Sequence, residues 1–170
     1  TASDPYAARD RIIEFKPDVM TLDVEMPRMN GIEFLKRLMP QYPIPVVVVS
    51  AASQNVFDAL NAGAVDFVTK PDLSSQKGFD FLINELIIKI KIASTAKVGH
   101  WKKEYTVSKA VGSLNSGASN KIIAIGASTG GTEAIFNLLK LLPRDIPGTV
   151  IVQHMPPVFT RMYAERLNNS

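Results

Sequence analysis

Short apolar runs alternate with amphipathic segments along the first 92 residues of the chain. The apolar runs predict buried strands, and apolar residues spaced three or four positions apart predict helices. The predicted elements are a helix from Pro5 to about Phe15, a strand at 19–22 ending at Asp23, a helix at 32–39, a strand at 46–50, a short helix at 55–61, a strand at 66–69 and a helix at 79–92. This alternation is typical of a parallel α/β sheet.

The last of these helices is predicted to be amphipathic. One face of the helix is predicted to carry five apolar residues, namely Phe79, Leu82, Ile83, Leu86 and Ile90.

The same alternation resumes after residue 120, with a strand predicted at 121–127, a helix at 133–142 and a strand at 149–154. A strand, a crossover helix and a second strand form a right-handed unit with parallel strands. Residues 93–120 are polar and rich in glycine and serine near their end, which indicates a linker. We therefore predict a first domain at 1–92, a linker at 93–120 and the N-terminal part of a doubly wound α/β domain at 121–170.

Ser128 follows the predicted strand 121–127 in the segment Gly126-Ala-Ser128-Thr129-Gly130-Gly131. The pattern G-x-S-x-G is typical of a sharp strand-to-helix turn that exposes a nucleophilic serine. A dinucleotide fingerprint would need glycine at 128, and a P-loop would need lysine after Gly131, where Thr132 stands. Many Gly-Ser-Thr turns carry no chemistry, and that interpretation stays open.

His154 ends the second predicted strand of this part of the chain. Because parallel strands end at the same edge of a sheet, we expect His154 to share an edge with Ser128. A lone histidine is more often structural than catalytic. A position opposite a serine turn favours a general base.

Three strand ends in the first domain carry Asp23, Ser50 and Lys70. Parallel topology predicts that this carboxylate, hydroxyl and ammonium meet at one edge. A carboxylate beside a lysine is suited to accept a phosphoryl group, since the cation stabilises the transferred charge. Ordinary strand-end polarity is the alternative interpretation.

Composition sets limits on the class of protein. The 170 residues are 46% hydrophobic and 21% charged, which is typical of a globular chain. The absence of cysteine excludes disulfides and thiolate chemistry and fits a cytoplasmic location. No apolar run is long enough for membrane insertion. The net charge is +3, and the surplus of basic residues lies in the linker. This distribution argues against nucleic-acid binding.

Three segments of the first domain resemble the receiver domain of two-component response regulators: 22–31, 49–52 and 66–71. The resemblance implies a flavodoxin-like fold. It also implies that Asp23 is phosphorylated with the help of Mg²⁺. It also implies that Ser50 is the switch hydroxyl, Lys70 the phosphate partner and Phe67 the rotating aromatic residue.

Together with the linker, segment 125–131 and segment 153–156, the chain resembles the chemotaxis protein-glutamate methylesterase family. That resemblance implies a serine nucleophile at Ser128, a base at His154 and a supporting role for Thr129. It implies that the amides of Gly130 and Gly131 contribute to charge stabilisation. The implied partners are methylated chemotaxis receptors and a chemotaxis histidine kinase that phosphorylates the receiver. The resemblance also implies that the unphosphorylated receiver covers the catalytic site. A family relative also deamidates glutamine by the same acyl chemistry.

Two features of the family are missing from the sequence. The family's acidic pair for Mg²⁺ ends a strand that we expect ahead of residue 1, and its catalytic aspartate comes well after the histidine. Only Glu165 follows His154 here, in a segment predicted to be helical. We therefore expect little activity from these 170 residues alone. A receiver that binds partners without catalysis, and a receiver joined to another serine hydrolase, remain alternatives.

Overall fold

A computed structural model of the chain describes residues 1–51, 55–71, 76–98, 121–143 and 146–169. The chain divides into two compact units, Thr1–Lys102 and Lys103–Ser170. The division lies inside the predicted linker, of which residues 99–120 fall outside the described ranges. Among the described helices, none is long and apolar enough to cross a membrane.

The first unit has the predicted alternation of helices and strands, with boundaries within three residues of those expected. Its elements are α1 (Pro5–Phe15), β1 (Met20–Asp23), α2 (Gly31–Leu38), β2 (Val46–Ser50), α3 (Val56–Asn61), β3 (Asp66–Thr69) and α4 (Gln76–Ala93). The three strands are parallel in the order β1-β2-β3. The predicted parallel α/β fold is confirmed.

Side-chain caps set the start of the first two helices. Asp4 Oδ1 accepts hydrogen bonds from the amides of Tyr6 and Ala7 at 2.9 and 3.0 Å. The bond from Ala7 is the main reason that the pKa of Asp4 lies below its ordinary value. Asn30 caps α2 in the same way, through a 2.8 Å bond from the amide of Ile32.

The central strand β2 forms the core of the first unit. Its residues Val46, Val47 and Val48 are fully buried, as expected for a parallel strand covered on both faces. One core cluster joins Val47 to Val68 and Ala93, so α4 packs against the sheet.

The buried face of α4 differs from the one predicted. Leu82 and Leu86 pack against the core cluster as expected, but Phe79 and Ile83 are 44% and 37% exposed. A charged residue, Lys89, is buried instead. The buried face predicted from apolar spacing is therefore slightly rotated from the observed one. Apolar spacing does not reveal that a lysine has buried partners.

The second unit contains β4 (Ile123–Ala127), α5 (Gly131–Leu141), β5 (Thr149–Gln153) and α6 (Pro157–Asn168). The two strands pair in parallel, as predicted. Helix α6 begins at Pro157, where proline is well tolerated because the first amides of a helix have no partner inside it.

The two faces of the β4–β5 pair differ in their exposure. Burial alternates between half-buried and exposed residues along both strands. On the exposed side, Val150 and Val152 are 55% and 65% exposed. We call this surface, together with Ala124 and Gly126, the bare face.

Candidate functional site

The side chains of Asp23 and Lys70 form an ion pair at the carboxyl edge of the first sheet. The ammonium group of Lys70 contacts Oδ2 of Asp23, while Oδ1 accepts a 3.0 Å hydrogen bond from the amide of Glu25. Both side chains are about one-third exposed, at 36% for Asp23 and 34% for Lys70. The carboxylate is therefore held in place and is still accessible to small molecules.

Parallel topology explains why these residues meet. Strands β1 and β3 flank β2, and all three end at one edge. Ser50 ends β2, is almost fully buried, and accepts a 2.9 Å backbone hydrogen bond from the amide of Lys70. The three strand-end residues picked out from the sequence thus occupy one edge of the sheet.

Gly31 allows α2 to start directly against the loop that follows Asp23. Its amide donates to the carbonyl oxygen of Val24 at 2.9 Å. A Cβ atom at this position would overlap the carbonyl oxygen of Asp23 and lie 2.9 Å from the Cα of Val24. Because both obstacles are backbone atoms, any side chain at 31 would force the loop away from the helix.

Phe67 lies inside the first unit, with 2% of its surface exposed. Its carbonyl oxygen accepts a hydrogen bond from Lys89, whose ammonium nitrogen lies 5.0 Å from the centre of the Phe67 ring. The sequence analysis did not single out Lys89. The signal available was a lysine at the i+4 position from Glu85 on the helix that follows Asp66.

Asp23 is the one predicted phosphorylation-site residue that could also contact a metal ion. Mg²⁺ usually takes one or two protein carboxylates and keeps several waters, so a single aspartate fits as part of such a set. The described residues contain no group of three potential metal ligands.

Ser128 and His154 directly follow the paired strands β4 and β5. The amide of His154 donates to the carbonyl oxygen of Ala127 at 3.0 Å, which extends the strand pairing to the residue before Ser128. Both residues are exposed. Glu165, the acid that follows them in the sequence, pairs instead with Arg161 at 2.9 Å on the exposed surface of α6.

The turn after Ser128 depends on two glycines. Gly130 has a φ of 76°, in the left-handed region that favours glycine, and α5 begins at Gly131. The amide of Gly131 donates to the carbonyl oxygen of Ser128 at 2.8 Å. In this conformation the amide of Gly131 is therefore engaged within the turn.

Tyr163 connects α6 to the first turn of α5. Its hydroxyl group donates to the carbonyl oxygen of Thr132 at 2.8 Å, and both residues are buried. Burial raises the pKa of Tyr163 to about 12. This bond holds the first turn of α5 at Thr132, which lies four residues after Ser128.

Comparisons with known families agree with the two units. Residues 1–77 match the response regulator receiver domain, and residues 123–170 match the CheB methylesterase family. The chain is therefore a response regulator in which a receiver domain precedes the start of an effector domain.

Individual relatives of the chain include protein-glutamate methylesterases. A protein-glutamate methylesterase/protein-glutamine glutaminase 2 from Syntrophomonas wolfei is 62% identical over 100% of this chain and 49% of its own length. A protein-glutamate methylesterase/protein-glutamine glutaminase from Syntrophotalea carbinolica is 55% identical over 99% of this chain and 50% of its own length. The solved response regulator domain of Thermotoga maritima CheB is 42% identical, with a TM-score of 0.49 over 55% of this chain and 73% of that one. The chain belongs to the CheB family, and it spans about half the length of the curated relatives it matches.

Proposed function

We propose that the protein carrying this chain hydrolyses methyl esters of glutamate side chains on chemotaxis receptors, with Ser128 as the nucleophile and His154 as the general base. The observation that supports this most directly is the hydrogen bond of 3.0 Å from the His154 amide to the Ala127 carbonyl oxygen. It holds the residue after β5 beside the residue that precedes Ser128. Both side chains are exposed, so an ester on another protein can reach them.

The reaction proceeds in two balanced steps. His154 takes the hydroxyl proton of Ser128, the oxygen attacks the ester carbonyl carbon, and the bond to the methoxy group breaks. His154 returns the proton to that group, which leaves as methanol and gives an acyl-enzyme. Water then attacks the acyl carbon, His154 takes its proton, and Ser128 regains a proton as the glutamate carboxylate departs.

The neighbouring residues have supporting roles in this proposal. Thr129 steadies His154, and the amide of Gly130 stabilises the negative charge on the carbonyl oxygen. Glutamine is a second substrate, since its amide carbonyl can form the same acyl-enzyme with ammonia as the leaving group.

The receiver domain regulates this activity through Asp23. A chemotaxis histidine kinase donates the phosphoryl group from its phosphorylated histidine. The Asp23 carboxylate attacks phosphorus, the phosphorus–nitrogen bond breaks, the imidazole of the kinase leaves, and Asp23 carries an acyl phosphate. The Asp23–Lys70 ion pair supports this assignment, because the ammonium group neutralises charge on the transferred group. Mg²⁺, with Asp23 as one ligand, supplies further positive charge when bound. Ser50 and Phe67 then carry the change to the effector.

This assignment implies the domain boundaries given above, with the receiver at 1–92, a linker at 93–120 and the catalytic domain from 121 onward.

Methanol release from radiolabelled methylated receptor membranes tests the proposed chemistry. Removal of the hydroxyl group in Ser128→Ala is expected to abolish release, while Ser94→Ala, at the exposed residue that follows α4, retains it. Retained release by Ser128→Ala, with the receptor hydrolysed at the wild-type rate, rules out the catalytic assignment and favours a receiver that only binds partners.

Phosphorylation is tested separately with a small-molecule phosphodonor. Asp23→Asn is expected to form no acyl phosphate and to lose stimulation of methanol release. Asp18→Asn, at an exposed position just before β1, serves as the matched control. Labelling of Asp23→Asn at the wild-type level would move the acceptor to another residue.

A further inference from the structure

Gln153 is the last residue of β5, and its side-chain amide contacts the backbone of both residues used in the proposed reaction. Nε2 donates to the carbonyl oxygen of Ser128 at 2.8 Å and to that of His154 at 3.1 Å. A side-chain amide nitrogen carries two hydrogens, and each has a separate acceptor here. One side chain therefore joins the turn after β4 to the loop after β5.

The two carbonyl oxygens also determine which way the Gln153 amide faces. If the amide were turned over, Oε1 would face two acceptors and no hydrogen bond would form. In the observed orientation, Oε1 is buried and lacks a hydrogen-bond partner within the described part of the chain. The side chain thus keeps both donated bonds and leaves its own acceptor unpaired. An unpaired buried acceptor is unfavourable, and the two donated bonds offset that cost.

Gly131 provides the space that this arrangement needs. A Cβ atom at 131 would overlap Oε1 of Gln153 and lie 2.5 Å from the Cβ of Ala127. The Gln153 side chain therefore packs against the first residue of α5. It contacts the turn that is closed by the hydrogen bond from the Gly131 amide to the Ser128 carbonyl oxygen.

We infer that Gln153 is a positioning residue that holds the Ser128 turn and the His154 loop at a fixed separation, so that the imidazole stays within reach of the hydroxyl group. The inference rests on the proposed function. Gln153 acts through two backbone carbonyl groups, whereas Ser128 and His154 act on the ester itself.

The effect on turnover follows from geometry. Displacement of a reacting group by about 1 Å can lower a rate by about 100-fold. Gln153→Leu keeps a similar volume and removes both donors, so kcat for methanol release should fall by roughly 10- to 100-fold with KM unchanged. Gln41→Leu makes the same chemical change in the first unit, where Gln41 donates to the carbonyl oxygen of Arg37 at 3.0 Å, and kcat should stay at the wild-type value.

A second variant separates positioning from simple loss of packing. Gln153→Glu keeps the size of the side chain, but an ionised carboxylate only accepts hydrogen bonds and would face two carbonyl oxygens. When protonated, the carboxyl group can donate to one of them. The kcat of Gln153→Glu relative to wild type should therefore rise as the pH is lowered, whereas a packing defect would give a ratio that does not change with pH.

The intact protein and four variants, namely Ser128→Ala, Gln41→Leu, Gln153→Leu and Gln153→Glu, are compared for kcat, KM and thermal unfolding. Loss of turnover in Ser128→Ala together with wild-type kcat in Gln153→Leu overturns the positioning role and leaves the proposed function standing. Full turnover in Ser128→Ala overturns both. If Gln153→Leu does not fold, the pH dependence of the Gln153→Glu ratio decides: a rise at low pH supports positioning, and a constant ratio rejects it.

Discussion

The ammonium nitrogen of Lys89 lies 2.5 Å from the carbonyl oxygen of Phe67, inside the first unit. The same nitrogen pairs with Asp66 at 3.2 Å and with Glu85 at 3.1 Å, and the Lys89 side chain is only 8% exposed. A cation from α4 is thus buried at the strand that carries the predicted switch residue Phe67. Helix α4 cannot turn or slide along the sheet without breaking the contacts of Lys89 with Asp66 and Phe67.

Replacing Lys89 by methionine is expected to destabilise the first unit by about 3 kcal/mol, because it leaves the buried carboxylate of Asp66 without a cation. Chemical denaturation measures the loss. Lys91→Met, an exposed position on the same helix, should change stability by less than about 0.5 kcal/mol. Adding Asp66→Asn to Lys89→Met should restore part of the stability, and a further loss of equal size would contradict the ionic explanation.

Gly31→Ala is expected to lower stability by about 1–3 kcal/mol, because the added Cβ meets backbone atoms of Asp23 and Val24. The same displacement should slow labelling of Asp23 by a phosphodonor. Denaturation and a phosphorylation time course measure the two effects. Gly148→Ala is the control, since nothing lies within 4 Å of a Cβ built at that glycine. Equal behaviour of the two variants would show that the α2 start is more adaptable than this geometry indicates.

Tyr163→Phe removes the hydroxyl group that donates to Thr132 and should cost about 1 kcal/mol. The raised pKa of Tyr163, about 12, means that folding favours its neutral form. This stabilisation is fully present below the ordinary pKa of 10 and is lost as the pH rises through about 12. Ultraviolet titration of tyrosinate should show a late component that Tyr163→Phe removes. An unchanged late component in Tyr163→Phe would assign it to another tyrosine.

Arg166→Lys is expected to be destabilising although it keeps the charge. The Arg166 guanidinium lies 4.0 Å from the centre of the Phe136 ring and pairs with Glu133 at 2.7 Å, and lysine cannot make both contacts in this geometry. We expect a loss of about 1 kcal/mol by thermal or chemical unfolding. Arg161→Lys, 89% exposed on the same helix, should have almost no effect. Equal losses in the two variants would argue against stacking on Phe136.

The strands and the two strand-edge clusters were predictable because they depend on local patterns. The run Val46–Val49 is apolar without interruption, and parallel strand ends meet at one edge whatever the details of packing. The positions of Asp23 beside Lys70 and of Ser128 near His154 follow from that rule. Their roles in chemistry remain predictions.

Contacts between distant side chains were not predictable in this way. The apolar pattern of α4 does not single out Lys89, and its burial depends on Asp66 and Phe67, which lie 23 and 22 residues earlier in the chain. Gln153 likewise looks like the polar end of a strand. Its two carbonyl partners are determined by the positions of the turns after β4 and β5 relative to each other. Hydropathy carries no information about these positions.

The bare face of the β4–β5 pair also affects how the chain behaves in solution. Parallel sheets are normally covered on both faces, whereas here Val150 and Val152 meet water, and Ile122, the residue before β4, is 73% exposed. Exposed apolar strips and open strand edges promote self-association. The 170-residue chain should therefore show concentration-dependent light scattering and bind hydrophobic dyes, and colloidal stability will set the highest concentration at which it can be handled.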